Sequence, residues 1–275
     1  MALLAEKVAL ITGAGRGIGA AAARLFSQHG ARVVLCDLDA APVEQLAAEL
    51  KAAGGQALAF AGDVTSAEFA PQAIAATLEH FGGFDVLVNN AGYTWDGVLH
   101  TMDDAQWQAM LDVHLSAPFR LIRAAAPYLR DTAKAEIKAH GAAKARKIIN
   151  VSSVSGVYGN AGQVNYSAAK SGVIGLTKTL AKEWGRFNVQ TNAVCYGFIE
   201  TRLTAAKEQG ETIQRGDQAI KLGVPENLMA GITMFHPMGR AGTPEEAAGP
   251  MVFLASNLAN YVNGEILEVT GGMGI

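Results

Sequence analysis

The 275-residue chain has only two cysteines, Cys36 and Cys195, each inside an apolar strand-like run. Two are too few for a disulfide framework, so the expected setting is reducing and cytoplasmic. Charge is scarce as well: 17% of residues are Asp, Glu, Lys or Arg, and the formal net charge is only −3. That leaves no basic footprint for nucleic acid and no acidic or low-complexity tail. No unbroken apolar run approaches the roughly 20 residues that cross a bilayer. The N-terminal residues also lack a charged stretch leading into an apolar core and a cleavage site. No metal is expected, since His114 has no other histidine near it in the local sequence.

Half of the residues are apolar and 31 are glycine. Short apolar runs alternate with helical periodicity, and there is no internal repeat and no linker-like break. Strands are expected at 7–12, 32–36, 56–60, 85–88, 148–151, 189–195 and 265–270. This order implies one α/β domain over residues 1–275: a Rossmann-type, doubly wound, parallel seven-stranded sheet with helices on both faces. Its site should lie at the carboxyl ends of the strands.

The first strand runs at once into Gly13, Gly15, Gly17 and Gly19, and then into the Ala-rich helix AAAARLF. A strand, a glycine turn and a helix N-terminus make a phosphate cradle, because backbone N–H groups and the helix dipole face an anion at close range. The spacing is G-x-x-x-G-x-G, not the commoner G-x-G-x-x-G. Asp37 ends the second strand, where a carboxylate bonds ribose hydroxyls and repels a 2′-phosphate. We therefore expect NAD rather than NADP, although Arg16 in the glycine turn could pair with a phosphate or simply face solvent. Asp63 and Val64 can flank an adenine, and Asp63 can also cap the helix that follows. Asn89 and Asn90 end the fourth strand, where amides can tie strands together and still reach a ligand.

The stretch VSSVSGVYGNAGQVNYSAAK, residues 151–170, puts Ser153 at a strand end, with Tyr166 and Lys170 one helical turn apart. A free phenol has a pKa of about 10, and bringing it near 7 asks for about 4 kcal/mol of anion stabilisation. A neighbouring ammonium in a water-poor site can supply that. The serine hydroxyl can then hold a carbonyl or alcohol oxygen while the phenol passes the proton.

Residues 104–129 read as one long helix containing His114. Residues 132–147, with Lys134, Lys138, Lys144, Arg146 and Lys147, read as a solvated helix extension or loop, or as a docking surface for an acidic partner. Residues 202–238 show no strand. Their apolar groups, Leu222, Leu228, Met229, Met234 and Phe235, suit a lid over a substrate with a greasy portion. Tyr93, Trp95, Tyr158, Tyr196 and Phe198 could shape a mainly apolar pocket.

Five motifs in order, T-G-x-x-x-G-x-G from Thr12, D-V at Asp63, N-N-A-G from Asn89, Ser153 with Y-x-x-x-K from Tyr166, and a terminal G-G, closely resemble the short-chain dehydrogenase/reductase family. The likeness runs from about Lys7 to Met273 and is nearest to bacterial 3-oxoacyl-acyl-carrier-protein reductases. It implies Tyr166 as acid/base, Lys170 as pKa-lowering cation and ribose ligand, and Ser153 as the substrate-orienting hydroxyl. It also implies cofactor contacts from Gly13, Gly17, Ile18, Gly19, Asp37, Asp63, Val64, Asn90, Ile199 and Thr201, with Arg16 beside them, and a homotetramer.

Two positions depart from the family pattern. His114 stands where the family usually has an Asn serving a water-mediated proton relay behind the lysine. Either the backbone carbonyl keeps that relay, or the imidazole itself shuttles a proton near neutral pH. Tyr196-Gly197 replaces the usual Pro-Gly, freeing a backbone N–H and placing a ring that could meet nicotinamide or substrate. The expected activity is hydride transfer between NAD(H) and a secondary alcohol or ketone, which could be a 3-hydroxyacyl or 3-oxoacyl group. An NADPH-dependent 3-oxoacyl reductase and a non-catalytic dinucleotide-binding sensor or scaffold are the competing expectations.

Overall fold

The computed structural model describes residues 2–209, 211–215, 218–224 and 236–273. Its centre is a parallel sheet of seven strands in the order β3-β2-β1-β4-β5-β6-β9: β1 Val8–Thr12, β2 Arg32–Asp37, β3 Gln56–Ala61, β4 Val86–Asn89, β5 Arg146–Ser153, β6 Val189–Tyr196 and β9 Ile266–Val269. β1 is buried along its whole length because helices cover both faces, which is why VALIT shows no polar alternation. One face packs with α1 (Gly17–Gln28), α2 (Ala40–Ala52) and α8 (Pro244–Ala255) into an apolar layer containing Phe26, Leu46 and Met251. The other carries α3 (Phe69–Phe81), α4 (Asp104–Leu111), α5 (Ala117–His140) and α7 (Val164–Trp184). Strand order reverses between β1 and β4, and a crevice opens there beyond their carboxyl ends.

Local chemistry sets the element ends. Thr243 caps α8 through the Glu246 N–H, and the Glu246 side chain returns the bond, with Pro244 at the first helical position. Gly141 stops α5 in a left-handed conformation.

Several boundaries differ from expectation. The long helix is three pieces: between α4 and α5, residues 112–116 form a π-turn, with Ala117 donating to the Asp112 carbonyl. The basic stretch divides too. α5 carries the lysines as far as His140, but β5 begins at Arg146, and Arg146 and Lys147 are buried rather than solvated. Arg146 is held by Glu136 in a two-point ion pair of 2.8 and 2.9 Å. Lys147 donates to the Ala259 carbonyl at 3.1 Å and to Asn260 Oδ1 at 2.9 Å.

The region after β6 does contain strand. β7 Thr212–Arg215 and β8 Gln218–Lys221 form an antiparallel hairpin, with Ile213 opposite Ile220 and both buried. The Gly216-Asp217 dipeptide between two alternating runs is a hairpin signal in the sequence. Leu222 is buried, whereas Leu228, Met229, Met234 and Phe235 lie outside the described residues.

Burial pulls the Lys147 ammonium down to about 8. The unfolded chain then holds more protons than the folded one between about pH 8 and 10.5, so this residue makes stability rise with pH across that window. Lys147→Met should flatten the rise relative to wild type when unfolding midpoints are compared from about pH 7 to 10; an unchanged slope would contradict it.

Candidate active site

At the first βα turn, Gly13 takes φ +64°. A Cβ on Gly19 would lie 2.0 Å from the Gly13 carbonyl oxygen, so only glycine lets α1 begin this close to β1. Thr12 Oγ1 accepts the Asn90 and Ala91 N–H groups, each at 3.0 Å, and the Asn90 amide donates to the Thr12 carbonyl at 2.9 Å. Asn89 donates to Asn150, and Asn150 to Thr177. The paired asparagines therefore tie strands together as expected, and Asn90 also borders the crevice.

Asp37 Oδ2 accepts the Gly15 N–H at 2.9 Å, which pins the carboxylate beside the glycine turn. Arg16 reaches Asp39 at 2.6 Å across an exposed surface. Asp63 caps a turn rather than a helix, accepting from the N–H and hydroxyl of Thr65, while α3 starts only at Phe69. Gly17, Ile18, Val64, Ile199 and Thr201 join these residues along one crevice of about 1280 Å³. A turn whose glycines let the backbone approach closely, a helix N-terminus and a pinned carboxylate fit a nicotinamide dinucleotide: the turn would hold the diphosphate and Asp37 a ribose.

The other end of the crevice holds Ser153, Tyr166, Lys170 and His114. Ser153 ends β5 and caps α6 (Val154–Tyr158) by accepting the Ser155 N–H. Asn165, fully buried, donates to the Trp95 and Gln106 carbonyls and accepts the Tyr166 N–H, fixing the start of α7. Lys170 Nζ donates to the Val151 carbonyl at 2.7 Å and sits 5.5 Å from the centre of the Tyr166 ring.

The electrostatics differ from expectation. Burial pushes the Tyr166 phenol up to about 12, against the lowering effect of a hydrogen bond with Ser153. Burial also pulls Lys170 down to about 7. Desolvation acts on both groups and disfavours both charges, so the protein alone does not hold the phenol near neutrality.

His114 is buried, and its Nε2 lies 2.7 Å from the Tyr93 carbonyl, which can only accept. The proton is thus on Nε2 and Nδ1 is bare, with no hydrogen-bond partner. Burial first, and Lys170 second, keep this imidazole well below its usual pKa. An imidazole that stays neutral does not cycle through its cation near pH 7, so of the two relay readings for His114 the chemistry favours the one through its backbone carbonyl. Its ring meets the Tyr166 ring edge-on, at 4.9 Å and 90°.

Tyr196 also turns out differently. Its hydroxyl donates to the Ala247 carbonyl at 2.5 Å, in the apolar layer under α8, although the residue also borders the crevice. Tyr158 binds Glu268 at the rim, Trp95 does not line the crevice, and Asp96, Gln163, Arg202 and Lys207 do. Tyr93, Tyr158, Tyr196 and Phe198 do border it, and the lining is mainly apolar as expected, with these charged and polar groups set into it. Asp96, Ser155 and Gln163 carry no motif of their own, although the last two lie inside the Ser/Tyr/Lys stretch, and nothing in the linear sequence marks them as part of the site.

The short chain dehydrogenase family matches over residues 7–212. The chain belongs to that family. Among its relatives, a 3-oxoacyl-[acyl-carrier-protein] reductase of Synechocystis is 41% identical over 276 residues, covering 99% of each chain. One of the same name from Thermotoga maritima is 38% identical, covering 98% of each. The short-chain reductase protein NovJ of Streptomyces niveus is 38% identical, covering 99% of this chain and 95% of its own. A crystal structure described as a putative NAD(P)-dependent gluconate 5-dehydrogenase from Beutenbergia cavernae, with NADP at low occupancy, is similar at TM-score 0.81 and 34% identity, covering 98% of both. This short-chain dehydrogenase is accordingly an NAD(P)-dependent oxidoreductase, and the sensor or scaffold reading finds no support among relatives named for catalysis. No helix among the described residues is long and apolar enough to cross a membrane.

A Cβ on Gly92 would come within 2.2 Å of His114 Cε1. Gly92→Ala should therefore lower unfolding stability by about 2 kcal/mol through overpacking. His114→Ser in the same chain should return most of it in urea titrations; no recovery would place the strain elsewhere.

Proposed function

We propose that this enzyme moves a hydride between NAD(H) and a secondary alcohol or ketone, with Tyr166 as proton donor and acceptor. One observation carries the reading: Ser153, Tyr166 and Lys170 border the same crevice as the glycine turn and Asp37. A bound nicotinamide dinucleotide would supply the hydride carrier. The chain's own groups would handle the proton and the oxygen. Ser153 Oγ steadies the reacting oxygen, and the Tyr166 hydroxyl gives its proton to an alkoxide in reduction, or as phenolate takes one from the alcohol in oxidation. Lys170, anchored on the Val151 carbonyl, brings a cation to the Tyr166 ring whenever it is protonated. The segment after β6, which contributes Arg202 and Lys207 to the crevice, serves as the lid.

NAD is favoured over NADP because Asp37 is pinned at the glycine turn, while Arg16 is already paired with Asp39. An NADPH-linked 3-oxoacyl reductase is the second reading. Its support is the exposure of that Arg16–Asp39 pair, since an exposed pair is weak and a 2′-phosphate could recruit the guanidinium. The 3-oxoacyl relatives make 3-hydroxyacyl and 3-oxoacyl groups the first substrates to assay.

Tyr166→Phe should cut turnover at least about a thousandfold while cofactor affinity, followed by NADH fluorescence, stays within about twofold; an active variant would end this reading. A phenol raised by desolvation is protonated at neutral pH, so kcat/KM for ketone reduction should fall and that for alcohol oxidation should rise toward alkaline pH. Parallel profiles in the two directions would contradict that assignment. Turnover should favour NADH over NADPH by about tenfold or more, and Asp37→Ser should narrow the gap; an NADPH preference in wild type would favour the second reading.

A further inference from the structure

A chain of hydrogen bonds runs from the crevice wall to the Ser153 hydroxyl. Asp96 accepts from Gln163 Nε2 on both carboxylate oxygens, at 3.1 and 3.0 Å. A carboxylate can only accept, so the amide is oriented with its NH2 toward Asp96 and its Oε1 turned away. That Oε1 accepts from Ser155 Oγ at 3.1 Å and from Asn160 Nδ2 at 2.9 Å. Ser155 in turn donates its N–H to Ser153 Oγ at 3.1 Å. The bond occupies a lone pair of the Ser153 oxygen and leaves its proton for the side of the crevice where Tyr166 lies. Both serines are nearly buried along the crevice wall, which limits the water that could replace these partners. If Gln163 turned over, its NH2 would face the Asn160 NH2 and its oxygen would face the Asp96 carboxylate. Donor would meet donor and acceptor would meet acceptor.

We propose that Asp96 is a positioning residue for Ser153: it sets the orientation of the Gln163 amide, which holds Ser155 and thereby the direction in which the Ser153 hydroxyl is presented. This rests on the reading of Ser153 and Tyr166 given above. Asp96 also borders the crevice, so its rival role is a direct contact with substrate. The two roles are separable because orientation can be exchanged between the partners, whereas a substrate contact belongs to one residue.

The experiment compares wild type with Gln163→Glu, Asp96→Asn, the Asp96→Asn/Gln163→Glu pair and Asp96→Ala, using two ketones of different polarity. Cofactor affinity by NADH fluorescence serves as the folding control. Gln163→Glu sets two carboxylates against each other and should lower kcat about tenfold with both ketones. Asp96→Asn keeps an acceptor for the amide and should stay within about threefold of wild type. The pair places the donor on position 96 and the acceptor on position 163, and should recover most of what Gln163→Glu loses. Asp96→Ala should resemble Gln163→Glu in kcat, with KM little changed. The proposal is overturned if the pair is no better than Gln163→Glu, if the loss appears in KM for one ketone only, or if Asp96→Ala turns over like wild type. Tyr166→Phe run alongside keeps the two claims apart: an active Tyr166→Phe enzyme defeats the catalytic reading, whereas an inactive one with no recovery in the pair defeats only the role of Asp96.

Discussion

Desolvation of Tyr166 and Lys170 is the constraint on which the rest of this enzyme depends. Lys170 is buried and Tyr166 half-buried beside it, and desolvation disfavours the charge on each. The phenol consequently waits in its protonated form, and a further charge brought into the crevice is screened less than it would be in bulk water. The same burial explains the surroundings. His114 is neutral, with its single proton committed to the Tyr93 carbonyl, and Asn165 spends its amide on two backbone carbonyls. Groups with no such commitment would bring in water or stray protons.

The fold makes that burial possible while keeping one side open. Seven parallel strands covered on both faces leave only their ends free, and the reversal of strand order beside β1 keeps helices from closing the crevice there. Each half of the site hangs from a strand terminus: the glycine turn from β1, Asp37 from β2, Asn90 from β4 and Ser153 from β5. Strand ends in a hydrogen-bonded sheet are rigid, which suits groups that must meet a reacting atom in a fixed geometry. The segment between β6 and the hairpin, by contrast, contributes the charged side chains of Arg202 and Lys207 from outside the sheet.

A short polar chain links these parts. Ser153 is at once the strand end, the cap of α6 and a hydroxyl on the same crevice as Tyr166, so its direction depends on the backbone bond it accepts from Ser155. Networks of this kind act as units, and the value of one member depends on the others. The π-turn at residues 112–116 brings His114 against the Tyr166 ring, a local helical irregularity placed beside the chemistry.

Much of this is legible in the amino-acid sequence. Apolar runs of strand length that show no polar alternation belong at the centre of a sheet covered on both faces, and each of the seven expected strands is present with its ends shifted by a few residues at most. Motif order alone places Ser153, Tyr166, Lys170, Asn90, Asp37 and the glycine turn around one crevice, because the strand-end rule leaves them nowhere else to go. Side-chain direction is another matter. Tyr196 could not be assigned to the core, because which face a strand-end residue presents depends on the register of β6 against β5 and β9. Arg146 and Lys147 read as solvated because their partners, Glu136 on α5 and Ala259 and Asn260 after α8, come from other elements. Ionisation lay furthest out of reach: a Y-x-x-x-K spacing names the two groups, but the solvent taken from each depends on every helix packed around them. The chain's own order of residues thus determined the architecture and the identity of the reacting groups. Their charge states, the tautomer of His114 and the Asp96–Gln163–Ser155 link were decided only by tertiary packing, since all three depend on contacts between residues distant in sequence.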